Sequence, residues 1–109
     1  MNNKDMKADE SGLEVLRSEI DECDREIIGL LSRRFELVEK IGLYKARHNL
    51  PVRDEARERE ILADRKHQAA SFDGCIERIF RFILQESRQV QDKVRESIPR
   101  PDRKSGTGT

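Results

Sequence analysis

The sequence predicts an all-α protein of three helices, long, short and long, that completes its core as an intertwined homodimeric helical bundle. Three observations predict it. Apolar residues recur at three- and four-residue spacing, and no alternating strand pattern or internal repeat occurs anywhere. The three prolines, Pro51, Pro99 and Pro101, all stand outside these periodic runs. Hydrophobic residues make up 35% and charged residues 40% of the 109 positions, which is too thin for a self-contained core of this length.

The elements follow in order. Residues 1–12 are polar and read as a flexible N-terminus. A helical pattern starts near Leu13 and continues to about His48, where Asn49-Leu50-Pro51 breaks it. Gly42 is the one expected weak point late in that run. A second helix fits about Asp54 to Gln68, with Asp54 as its N-cap, and a third runs from Phe72 or Asp73 to about Ser97. Residues 98–109 carry two prolines and end in Gly, Ser and Thr, the composition of a disordered tail. The folded domain is therefore expected over 13–97.

The first helix carries the dimer expectation. Leu13, Leu16, Ile20, Cys23, Ile27, Leu30, Arg34, Leu37, Ile41 and Tyr44 keep a strict 3-4 spacing, a coiled-coil-like seam with one cation in it. Such a helix spans roughly 50 Å, more than the rest of so small a chain can cover. The same helix of a second copy is the simplest cover.

Composition excludes several functions. The 22 basic and 22 acidic residues cancel, so no net field draws the protein to nucleic acid or to an anionic membrane. Aromatics are 5% and Trp is absent, which leaves no base-stacking surface. The N-terminal dozen holds no apolar segment, so no signal peptide or membrane anchor is expected. Cys23 and Cys75 lack metal-ligand spacing and read as free thiols of a reducing, cytoplasmic setting. There is no Ser-His-Asp set, phosphate loop or metal cluster, and His48 and His67 read as incidental surface residues.

The informative residues are polar ones on apolar faces. Arg34 lies in the seam, where it either fixes register or binds an anion through its paired donors. Lys45, close to three turns on, shares its face, with Val38 and Ile41 between them as apolar wall. By itself Lys45 also reads as a surface lysine favoured by the helix C-terminus. Arg17 stands roughly 25 Å from Arg34 and about 100° around the axis, so one small ligand meets both only if Arg17 comes from another subunit. Asp54, Arg57 and Glu58 share a face of the second helix, or else form part of a solvated ladder of ion pairs. On the third helix Phe80, Leu84, Ser87, Gln91 and Val94 form one stripe; its two polar members need partners, from a ligand or from another helix.

Taken in order, Leu16-Arg17…Ile20…Asp24, Leu30-Leu31-Ser32-Arg33-Arg34…Glu36-Leu37, Ile41-Gly42-Leu43-Tyr44-Lys45, Pro51-Val52-Arg53-Asp54…Arg57-Glu58 and Ser87-Arg88-Gln89-Val90-Gln91 resemble the all-helical chorismate mutase family over about residues 13–95. The segment between the second and third helices is a few residues shorter than in some members.

The resemblance implies a homodimer with two equivalent sites, each borrowing Arg17 across the subunits. Arg17 and Arg34 would bind the two substrate carboxylates, supported by Arg57 and Ser87. Lys45 and Gln91 would flank the ether oxygen, and Asp54 and Glu58 would meet the ring hydroxyl. Arg34, Lys45, Glu58 and Gln91 would carry the catalysis, with Val38 and Ile41 as wall. The implied reaction is the intramolecular Claisen rearrangement of chorismate, a dicarboxylate, to prephenate in phenylalanine and tyrosine biosynthesis. It needs no nucleophile, metal or cofactor. An isochorismate-pyruvate lyase and a mutase of an amino analogue are the rivals within the fold. A non-catalytic helical dimer or adaptor is the rival outside it.

Overall fold

In the computed structural model the backbone is described for residues 2–99 and the side chains for 11–99. Met1 and residues 100–109 lie outside the described residues, and most of the expected tail falls there. The described chain is helical and contains no strand, as an all-α protein requires. Its elements are α1 (Asn2–Arg47), α2 (Glu55–Ala69), a 3-10 turn (Ala70–Phe72) and α3 (Asp73–Ser97).

The helix α1 begins at Asn2, well ahead of the expected start at Leu13. The reason lies in what residues 2–12 lack: no proline interrupts them, and Lys, Met, Ala and Glu are good helix formers. Polarity alone gives the helix no reason to stop there.

The chain divides between Arg34 and Phe35 into two units. In the first unit, the apolar residues Leu13, Leu16, Ile20, Ile27 and Leu30 are all about half to two-thirds exposed, Leu30 the most at 66%. A helix built on a regular apolar seam thus shows that seam to solvent.

The second unit holds the end of α1, α2 and α3. Its buried apolar residues are Val38, Ile61 and Leu84, one from each helix, and no described side chain falls below 2% exposure. Ser87 and Gln91 are buried beside them. The Arg65 guanidinium lies over the Phe80 ring, 5.9 Å from its centroid, and Lys66 reaches Glu77 at 3.6 Å. The second of these bonds is half-exposed and contributes little. Apolar contact between helices is therefore the main term, and there is little of it.

The connection from α1 to α2 is closed by named bonds. Asn49 takes the left-handed conformation at φ 56°, and the Leu50 N–H donates to the Lys45 carbonyl at 2.9 Å. That is the six-to-one bond of a Schellman cap, with Pro51 placed just after it to prevent continuation. Arg95 of α3 donates to the Leu50 carbonyl. Asp54 caps α2: its Oδ1 accepts from the Arg57 N–H at 3.0 Å, and Glu55 and Glu58 occupy the first turn, where a carboxylate favours the helix dipole.

Replacing Asp54 by Ala should cost about 1 kcal/mol of stability, whereas Asp54→Ser keeps a capping oxygen and should lose only a fraction of that. Urea denaturation followed by circular dichroism checks this; equal losses for Ala and Ser would remove the cap as the cause.

Candidate functional site

Three helices of the second unit each carry an expected site residue, Lys45, Glu58 or Gln91. On α1, Gly42 and Lys45 stand one turn apart; on α3, Ser87, Arg88 and Gln91 do the same; Glu58 lies in the first turn of α2.

The contact that joins α1 to α3 is at Gly42. A Cβ built there would lie 3.1 Å from the Gln91 Cα and 3.2 Å from its Cγ. Built on Gly12 or Gly29 it would meet nothing within 4 Å. The expected weak point of the first helix is instead a place where the third helix comes close. The helix is unbroken through it. This approach holds the Gln91 side chain, which is 7% exposed and whose Oε1 is buried with no hydrogen-bond partner. A buried amide oxygen left unpaired costs about 1–3 kcal/mol, so a native interior completes it with a donor, from water, a ligand or a second chain.

Lys45 is part-buried, and its Nζ donates to the Val52 carbonyl at 2.7 Å. An ammonium has three donors, so one bond aims the group and leaves capacity for an incoming acceptor. Glu58 is met by Arg88 across the α2–α3 interface: Nη1 lies 2.6 Å from both carboxylate oxygens. Side-chain exposure is 25% for Arg88 and 19% for Glu58, so this pair is screened far less than the surface pairs around it.

The remaining expected residues are placed as follows. Val38 is buried at 5% exposure, but Ile41 is 48% exposed. Ser87 is buried and donates to the Ile83 carbonyl at 2.7 Å, one turn back on its own helix. Asp54 uses one oxygen, Oδ1, on the cap, and Arg57 is exposed and reaches Glu60 at 3.5 Å. Thus Asp54, Arg57 and Glu58, expected on one face, have three different partners. In the first unit Arg34 is partly buried and engaged, while Arg17 is exposed and bonded to Glu14 at 3.0 Å.

Sequence reasoning missed Arg88, the Val52 carbonyl and the close approach at Gly42. Only Arg88 had a legible signal: it stands one turn before Gln91, on the helix that carries Ser87. Away from these residues, the hydrogen bond from Arg65 holds the Asp64 carboxyl below its ordinary range, against some desolvation and with help from Gln68. Among the described residues no group of His, Cys, Asp and Glu is arranged to hold a metal ion.

Fold and site together define a small all-helical protein whose interior amide, ammonium and paired carboxylate come from three different helices. The family model of chorismate mutase type II matches residues 16–92, and the chain belongs to that family. Among curated relatives, the T-protein of Enterobacter agglomerans is 36% identical over 78 residues, 69% of this chain and 21% of that protein. A bifunctional chorismate mutase/prephenate dehydratase of Aquifex aeolicus is 49% identical over 49 residues, 45% of this chain and 14% of its own. The 4-amino-4-deoxychorismate mutase of Streptomyces venezuelae is 30% identical over 102 residues, 88% of this chain and 98% of that protein. The chain thus spans about a fifth of the length of the T-proteins it matches. No solved structure matches it significantly.

Gly42→Ala should be harmful despite the better helix propensity of alanine, worth about 1 kcal/mol in an open helix. The expected outcome is a lower melting temperature, restored only in small part when Gln91 is also shortened to Ala, because the nearest atom is the Gln91 Cα. A higher melting temperature for Gly42→Ala alone would show that the approach is not tight.

Proposed function

We propose that this chain is a chorismate mutase, an isomerase that converts chorismate to prephenate in aromatic amino acid biosynthesis. The observation that carries the reading is a part-buried Lys45 ammonium with donors to spare, in a chain whose Gln91 amide is buried against Gly42 and whose residues 16–92 match the chorismate mutase type II family.

In this reading one C–O bond of the substrate breaks while a C–C bond forms within the same molecule, so no atoms are exchanged with the protein. The residues have two tasks. They fold the enolpyruvyl arm over the ring into a reactive arrangement. They also meet the negative charge that gathers on the ether oxygen as its bond stretches. Lys45, aimed by the Val52 carbonyl, and the amide N–H of Gln91 serve the second task. Arg34 and Arg17 take the two carboxylates, aided by Arg57 and Ser87. Glu58 meets the ring hydroxyl, Asp54 adds the oxygen that the cap leaves over, and Val38 and Ile41 supply apolar wall.

The working form in this reading is a homodimer in which each chain contributes three helices, and it acts in the cytoplasm. The exposed seam of α1 supports the dimer, since covering a large apolar side chain contributes about 1.5–3 kcal/mol when complete. Self-association of a helix face is also what the shortage of buried apolar side chains calls for. No described helix is long and apolar enough to cross a membrane.

A second reading, 4-amino-4-deoxychorismate mutase, is favoured by one observation: the Streptomyces venezuelae relative of that name is matched over nearly its whole length. Purified protein given each substrate in turn decides between them; prephenate formed from chorismate supports the first reading, and turnover of the amino analogue alone supports the second.

Lys45→Ala should lower turnover by about a hundredfold or more, the usual effect of removing one donor at a developing oxyanion, with helicity kept. Arg17→Ala and Arg34→Ala, each inactive alone, should recover about a quarter of wild-type activity after equimolar subunit exchange, because half the dimers are hybrids with one intact site in two. No recovery after verified exchange would rule out the shared site.

A further inference from the structure

We propose that Arg88 is a positioning residue that acts through Glu58 and makes the site prefer a neutral hydroxyl over an ammonium on the substrate ring. This rests on the reading above, in which Glu58 faces the ring hydroxyl. The pair itself is an observation of this structure: one guanidinium nitrogen of α3 bridges both oxygens of a carboxylate on α2, at 2.6 Å each.

Charge is the first argument. A part-buried carboxylate without a counter-ion attracts a cation strongly, because few waters screen it. Glu58 is only 19% exposed, and Arg88 is already against it, so the attraction left for an incoming ammonium is largely cancelled. Hydrogen bonding is the second. A carboxylate has about four lone-pair sites, and two bonds from Nη1 leave it able to accept from a hydroxyl. The guanidinium has five N–H donors in all, and those on Nη2 and Nε lie outside the pair. A ring hydroxyl both donates and accepts, so it complements carboxylate and guanidinium together. An ammonium only donates; it gains little from the neutralised carboxylate and is repelled by the arginine.

The competing role for Arg88 is a plain staple between α2 and α3. A staple would change stability without changing which substrate is preferred.

The experiment measures kcat/KM for chorismate and for 4-amino-4-deoxychorismate with the wild type, Arg88→Met and Arg88→Lys, and helicity for each. The wild type should prefer chorismate by about tenfold or more, Arg88→Met should move the ratio about tenfold toward the amine, and Arg88→Lys should return most of the preference. Arg88→Gln gives the same comparison if the Met variant does not fold, and the wild-type preference tests the proposal with no variant at all. A folded Arg88→Met enzyme with an unchanged ratio overturns the proposal and leaves the chorismate mutase reading standing. So does a wild type that turns over chorismate but favours the amine. A wild type inactive on both substrates overturns the proposal and that reading together.

Discussion

The close approach of α1 and α3 at Gly42 is the constraint on which the interior of the second unit depends. A hydrogen in place of a side chain lets the Gln91 backbone come within about 3 Å of where a Cβ would stand. Two consequences follow from that one contact. It buries the Gln91 amide in a position where its oxygen meets no protein donor. It also sets α3 relative to the last turns of α1, the segment that carries Lys45. The apolar core there is thin, with Val38, Ile61 and Leu84 as its buried members. Backbone proximity thus does part of what bulk does in a thicker core.

Electrostatics in this region is local. The chain has no net charge, and its surface ion pairs, such as Arg17 with Glu14 and Arg57 with Glu60, are largely exposed. Two cations are held differently. Lys45 is aimed by a carbonyl, and Arg88 is committed to a carboxylate. The first keeps its full charge for whatever enters; the second gives most of its charge away. In the proposed site, one uncompensated and one compensated cation would distinguish the two ends of a polar ligand, which an evenly positive pocket would not.

Much of the fold was legible in the sequence. The α3 stripe through Leu84, Ser87 and Gln91 is buried as its spacing requires, and the Asp54 cap and the break after His48 follow from residue types with strong local preferences. The start of α1 was not legible, because a polar stretch without proline supports a helix as well as a coil. For the site, periodicity found the buried Gln91 and the part-buried Lys45, since facing direction is what a helical period encodes. It could not find their partners. The Val52 carbonyl has no sequence signature, and the Glu58–Arg88 pair joins positions thirty residues apart on different helices. Arg57 shows what a shared face leaves open: its spacing matches that of Glu58, but its side chain reaches Glu60 within its own helix.

The connection between α1 and α2 is held by Lys45 and Arg95, and both bonds end on main-chain carbonyls, those of Val52 and Leu50. A carbonyl oxygen is the same whatever side chain its residue bears. Leu50 and Val52 are therefore free to exchange side chains over evolutionary time while the lysine stays aimed. What it cannot freely change is its length, because one residue added or lost between Asn49 and Asp54 moves both oxygens. Inheritance at Leu50 and Val52 acts on spacing more than on identity, and drift at these two positions is compatible with an unaltered site.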